Sequence, residues 1–166
     1  DYEARVRSSF ARQNAMTTIG AELTRVSPGT VEIELPYSDA LTQQHGFLHA
    51  GIISTALDSA CGYAAYTMMP ADSAVLTIEF KVNLLSPGRG ERFLFRGTVT
   101  KPGRTIIVAD GQAYAYGAEG EAGLGRQLAD FGDHVGEILG IDAAELAQLL
   151  KIAPGEEIEV SDQGFH

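Results

Sequence analysis

Residues 50–69 carry one long helical pattern in a chain that otherwise reads mostly as strand. Apolar or small residues stand at 52, 53, 56, 57, 60, 61, 64, 65 and 68. That is the spacing of a helix with a wide buried face, and Pro70 closes it. Ahead of it, residues 23–26 and 31–35 alternate on either side of Ser27-Pro28-Gly29, which reads as a hairpin. Behind it come three β-rich runs, 74–85, 92–101 and 104–116, parted by Ser86-Pro87-Gly88 and Pro102-Gly103. One helix cannot cover both faces of a wide sheet, but a curved sheet can wrap around one helix. The predicted fold class is therefore α+β, a long central helix wrapped by a curved antiparallel sheet. A weaker helix is expected over residues 2–14, where Tyr2, Val6 and Phe10 share a face.

Charge divides the chain. Net charge is −10, and half of the acids lie in residues 119–166, where Arg126 and Lys151 are the only bases. The shift predicts a boundary, with a domain over 1–118 and an acidic, mostly helical extension over 119–166. In the extension Leu128, Phe131, Val135 and Leu139 fit a helix face. Asp142-Ala143-Ala144-Glu145 reads as the start of a helix to about Ile152. Glu157-Ile158-Glu159-Val160 reads as an edge strand. An added tail predicts that deletion after Gly120 leaves the body intact. An acidic balance argues against nucleic acid, which needs a basic face. The single Cys61 excludes an internal disulfide and fits a reducing compartment, no apolar run reaches membrane-spanning length, and a secretory leader is not evident at Asp1-Tyr2-Glu3. The expected location is the cytoplasm, with no membrane partner.

The chemistry concentrates in Gln43-Gln44-His45-Gly46-Phe47-Leu48-His49-Ala50-Gly51, a polar loop running straight into the long helix. A helix start offers unpaired N–H groups and positive dipole to an oxyanion. Asp58, two turns on, is a poor mid-helix residue among small neighbours Gly51, Ser54, Thr55 and Gly62. An acid beside such a donor can attack a carbonyl or activate a water, so one short segment supplies the parts of an acyl-transfer site. Periodicity alone fits equally an Asp58 on the wet face of its helix. His49, placed at a helix N-terminus, is expected to stay neutral and to position or donate. His45 and His49 sit four apart across Gly46 in a loop, with no third ligand near, so a metal site is not expected. Cys61 reads as a packed, inert thiol.

Three pieces combine. His49-Ala50-Gly51 is followed by Asp58 nine residues after the histidine, then by Ala60 and Gly62. Thr77-Ile78-Glu79-Phe80-Lys81-Val82-Asn83-Leu84-Leu85-Ser86-Pro87 comes next, and Lys101-Pro102-Gly103-Arg104-Thr105 later. With these, residues 10–117 resemble the hotdog-fold acyl-CoA thioesterases of the phenylacetate-degradation (PaaI) group. The resemblance implies Asp58 as nucleophile or general base, the Ala50 N–H with Gly51 beside it as the oxyanion donor, and His49 as the motif histidine. It places Gln43 where the family has Asn, Ala50 where many relatives have Gly, and Thr77 as a hydroxyl contributed by the partner subunit. It also implies homodimers or homotetramers with active sites at the dimer interface. Relatives close the sheet with a strand soon after the position of Gly120. None is evident here, so either residues 157–160 supply it or the sheet is one strand short.

The implied reaction is hydrolysis of an aryl- or medium-chain acyl-CoA to the acid and CoA, with no cofactor beyond the CoA of the substrate. Phe47, Thr55 and Gly62 are candidate acyl contacts, with Phe10 and Tyr63 as further walls. Arg89, Arg92, Lys101 and Arg104 are candidates for the CoA phosphates. Two alternatives stay open at this point, a non-catalytic acyl-CoA-binding hotdog protein and a hotdog enoyl-CoA hydratase or dehydratase.

Overall fold

The computed structural model describes residues 1–117 and 125–130 in full and residues 136–142 as backbone. The N-terminal helical stretch is two helices, α1 (Tyr2–Phe10) and α2 (Asn14–Ile19). Asp1 caps α1 by accepting from the Glu3 and Ala4 amides, and Gly20, at φ 74°, ends α2 in the left-handed conformation. A hairpin of β1 (Glu22–Ser27) and β2 (Thr30–Pro36) follows, turning at Pro28-Gly29 as its sequence predicts. The central helix α3 runs Ala50–Met68. After it come β3 (Ser73–Glu79), β4 (Asn83–Leu84), β5 (Arg92–Lys101), β6 (Ile106–Tyr116), β7 (Arg126–Asp130) and β8 (Gly136–Asp142).

The strands form one antiparallel sheet in six rows. Rows one to four are β1, β2, β5 and β6. Long β6 then has two partners on its far side: residues 106–109 pair with β8 and residues 112–115 with β7. The outermost row is likewise split, β3 against β8 and β4 against β7. This is the wrapped α+β hotdog arrangement expected. Among the described residues no helix is long and apolar enough to cross a membrane.

What lets a sheet wrap a helix is small side chains at the crossing. Gly97 of β5 pairs with Gly111 of β6, flanked along β6 by buried Ala109, Ala113 and Ala115. Opposite them α3 presents Ala56, Ala60, Ala64 and Ala65, all fully buried. Backbone meets backbone there, because a Cβ built on Gly97 would fall onto the Ala60 carbonyl and the Cys61 amide. On either side the gap is filled by Phe93, Phe95, Val31, Ile33, Leu35 and Leu57. Arg5 ties α1 to the far end of α3, donating to the carbonyls of Tyr66 and Met69 at 2.8 Å each and to that of Pro70. The Tyr66 and Pro70 carbonyls also accept from the Met69 and Ser73 amides, so Arg5 adds a second bond there at the end of the helix.

The tail departs from its predicted form. Of the residues expected as a helix around Leu128 to Leu139, 126–130 are strand β7 and 136–142 are strand β8, which ends at Asp142. The spacing of Leu128, Phe131, Val135 and Leu139 fits helical period, but Gly132, Gly136 and Gly140 disfavour helix, and the open side of β6 offers ladder bonds. Tertiary pairing overrides local period here. The closing row that seemed missing is thus supplied by residues 126–130 and 136–142, and the sheet continues past residue 118. Residues 143–152 and 157–160, expected as helix and strand, lie outside the described residues. Because β3 and β4 pair only with β8 and β7 among the described strands, truncation after Gly120 strands the outer row. The expected product is insoluble or lacks a cooperative unfolding transition, as circular dichroism during thermal denaturation would show; a soluble, cooperatively folding product would overturn this account of the sheet.

Candidate active site

Asp58 lies on the face of α3 turned toward β3, partly buried. The Thr77 hydroxyl donates to Asp58 Oδ1 at 2.8 Å. Burial pushes the Asp58 carboxyl above its ordinary value, with the Thr77 bond pulling less strongly downward. β3 passes over Gly62, whose Cβ position lies 4.0 Å from the Val75 side chain. Thr77 therefore reaches Asp58 within one chain, which corrects the expectation that this hydroxyl comes from a partner. The resemblance assigned the strand to the facing subunit, whereas here the small face of α3 draws in its own β3.

A cleft opens beside the acid, lined by Gln13, Asp58, Ser59, Gly62, Tyr63, Val75, Leu76 and Thr77. Gln13 and Ser59 were not singled out from the sequence. Ser59 is buried and donates to Gln13 Oε1 at 3.1 Å, so the junction of α1 and α2 forms one wall. No local signal marks Gln13, because only the tertiary fold brings it to the helix. Phe10 packs on Tyr63 with ring centroids 5.6 Å apart, and Tyr63 lines the cleft. Cys61 is buried, and burial pushes its thiol up, away from the reactive thiolate.

The donor end is built differently. The loop folds on itself through Gln43 N–H to Phe47 O at 2.9 Å and Gly46 N–H to Gln43 O at 3.0 Å, with Gly46 at φ 78°. His49 is the N-cap of α3, and its Nδ1 accepts from the Gly51 amide at 2.9 Å. Nδ1 is thereby an acceptor, and a neutral ring carries its proton on Nε2. The Gly51 N–H is consumed by that bond. Among the described residues the Ala50 N–H has no acceptor, so Ala50 alone keeps an open donor. Ala50 is the first residue of the helix, in backbone that costs alanine nothing. Gln43, Phe47 and Ala50 line a second cleft with Leu48, Ile53 and residues 84–88.

These are two clefts, not one. Ala50 and Asp58 are eight residues apart on one helix, about 12 Å along its axis. A single carbonyl carbon cannot meet both along one helix. The acid cleft measures about 290 Å³ and the donor cleft about 460 Å³, the first just under and the second within the usual range for small-molecule sites. Thr55 lines neither, its hydroxyl donating back to the Gly51 carbonyl at 2.8 Å. Arg89 stands over Phe47, its guanidinium carbon 5.2 Å from the ring centroid. Arg92 is taken by Glu34 at 3.0 Å and by the Tyr116 ring. Lys101 and Arg104 occupy the β5–β6 turn. That turn is the length of β5 away from Arg89, about 30 Å, so one chain does not gather these cations.

A family model described as the thioesterase superfamily matches residues 45–120. A crystal structure of a thioesterase family protein from Silicibacter pomeroyi is 53% identical, covering 86% of this chain and 99% of that one, with a TM-score of 0.79. The chain belongs to the thioesterase superfamily. That superfamily is one of thioester hydrolases. This thioesterase also matches a provisionally named esterase of Halobacterium salinarum, 30% identical across 66% of this chain and 76% of that protein. Another such esterase, from Saccharolobus solfataricus, is 35% identical over 55% of this chain and 65% of its own length, just under two thirds. The Escherichia coli PaaI protein of the phenylacetic acid degradation operon shares the fold, with a TM-score of 0.71 at 14% identity.

Proposed function

We propose that two copies of this thioesterase hydrolyse aryl- or medium-chain acyl-CoA at sites they share, the acid cleft of one closing on the donor cleft of the other. The observation that carries this reading is the separation of Asp58 from the open Ala50 donor on one rigid helix. The exposed apolar side chains of the outer sheet row support it. Leu76 borders the acid cleft, Leu84 and Leu85 border the donor cleft, and each is about half exposed. An apolar stripe flanking both clefts suits a two-fold contact.

In the shared site the thioester carbonyl oxygen lies against the Ala50 N–H and the dipole at the start of α3. That arrangement stabilises the negative charge formed on attack. Asp58, ionised and oriented by Thr77, takes a proton from water or attacks the carbonyl carbon itself. The C–S bond then breaks and CoA leaves as its thiolate, taking up a proton; on the water route the acid is formed directly, and on the nucleophilic route water hydrolyses the Asp58 anhydride to release it. Gln43, whose Oε1 accepts from the His45 amide, offers its side-chain N–H groups to the carbonyl or the water, and His49 keeps the loop in register with the helix. The thioester's weak resonance and good leaving group explain how so few groups suffice.

Complementation tests the sharing directly. Ala50→Pro deletes the one open donor at a helix position that accepts proline, after a His49 backbone already extended at φ −65°, ψ 138°. It should lower kcat by roughly 10²–10³ with the fold intact, read by thiol release from an acyl-CoA panel. Co-expression of Ala50→Pro with Asp58→Ala should restore activity, because a mixed dimer holds one intact site. Mixed dimers that stay dead would show that each chain uses its own pair.

A further inference from the structure

Arg126 opens β7 beyond the family-matched segment, and it is one of two bases in the acidic region. Its Nη2 donates to the Pro87 carbonyl at 2.7 Å and to the Arg89 carbonyl at 3.2 Å. Around it the same segment is held at several points. The Leu85 and Ser86 amides donate to the Leu128 carbonyl, and the Ser86 hydroxyl donates to the Gln127 carbonyl at 2.9 Å. On its other side the Leu48 amide donates to the Gly88 carbonyl at 2.8 Å. The turn of residues 86–89 is thus held between β7 and the residue just ahead of the His49 cap. Gly88 has no room for a side chain, since a Cβ there would sit 2.9 Å from Leu48 Cβ. Arg89, at the end of this turn, places its charge over Phe47 on the rim of the donor cleft and makes no ion pair among the described residues.

We propose that Arg126 is a positioning residue for recognition of the substrate's phosphates: it fixes the 86–89 turn so that Arg89 is held at the rim of the donor cleft, facing the nucleotide end of a CoA thioester. This rests on the thioesterase reading of that cleft. The two carbonyls on Arg126 lie outside every strand ladder. The Pro87 carbonyl also accepts from the Arg89 amide at 2.8 Å, so removing the guanidinium leaves the turn its own bond but exposes the Arg89 carbonyl to water and releases the turn from β7. An arginine whose productive orientation is only partly populated binds its anion more weakly by that fraction. The loss falls on phosphate binding and not on the acyl end, because the donor itself is carried by α3. In a chain of net charge −10, two adjacent arginines also form a local field that attracts an anionic ligand.

The test compares an acyl-CoA with the same acyl group on N-acetylcysteamine, which keeps the thioester and lacks every phosphate. In Arg126→Ala the ratio of kcat/KM for the CoA ester to that for the truncated ester should fall about 5–10-fold, through KM with kcat within about twofold. Arg126→Lys, reaching one carbonyl, should recover part of the ratio. Arg89→Ala should lower it at least as far, and the double variant should be no worse than Arg89→Ala alone. An unchanged ratio, an equal loss on both esters, or additive losses in the double variant would overturn the proposal. Should wild type hydrolyse neither ester, the thioesterase reading falls instead. Calorimetric binding of CoA against pantetheine then still decides the role of Arg126, with selective weakening for CoA supporting it and equal binding overturning it.

Discussion

Asp58→Ala lowers kcat/KM for acyl-CoA about a thousandfold or more, while Asp58→Asn is nearly as inactive and more stable than wild type. The loss follows from removing the group that must act on the carbonyl or on water, since no second acid lines that cleft. The gain in stability follows from burial. The folded state holds the Asp58 carboxyl above its ordinary value because the ionised form is poorly solvated there. The fold therefore binds the Asp58 proton more tightly than the unfolded chain does. Its contribution to stability is fully present below the unfolded value and is lost as pH rises through the folded one. At neutral pH the ionised carboxylate costs stability, and a neutral amide that still accepts from Thr77 relieves it. A Tm gain of roughly 2–4 °C is expected, with a weaker dependence of Tm on pH. The rate runs the opposite way, rising with pH as Asp58 ionises, on a limb above the usual aspartate range. A pH–rate profile with its limb in the ordinary aspartate range, or an Asp58→Asn protein less stable than wild type, would refute the burial argument.

The largest effect on folding is expected at Gly97. Gly97→Ala places a methyl group where the Ala60 carbonyl and Cys61 amide already lie, and backbone cannot yield as a flexible side chain does. Helix and sheet must move apart, which opens gaps along Ala56, Ala64, Ala109 and Ala113, all fully buried now. Overpacking of this kind costs about 3 kcal/mol or more, a large part of the stability of an ordinary domain. Gly97→Val is expected not to fold. Gly117→Ala is the control, since a Cβ there meets nothing within 4 Å. Denaturant midpoints read the difference, and a Gly97→Ala protein within about 0.5 kcal/mol of wild type would show that the crossing is looser than it looks.

The features legible in the sequence were those written in local period. Apolar and small residues at helical spacing marked α3, Pro28-Gly29 marked the first hairpin, and β-rich runs between turn signals marked β3, β5 and β6. Asp58 stood out because an acid is costly inside such a helix, and the His49 cap stood out by position. Pairing across long separations left no such trace. Leu128 and Leu139 looked helical by spacing, and pairing along the open side of β6 puts them in strands. Thr77 was assigned to the wrong chain because sequence gives a residue type and not the subunit it faces. Gln13 and Arg126 act through partners 46 and 37–39 residues away. Nothing in their own neighbourhoods announces them.

The split outer row has a kinetic consequence. Strands β3 and β4 are made well before β7 and β8, the partners they pair with. At about 5–20 residues per second, the intervening stretch takes several seconds to synthesise. During that interval Leu76, Ile78, Leu84 and Leu85 belong to a strand row with no neighbour. A nascent chain is therefore most exposed to misassembly late in translation. Slowing elongation between codons 85 and 126 should lower the soluble yield more than the same delay placed before codon 70.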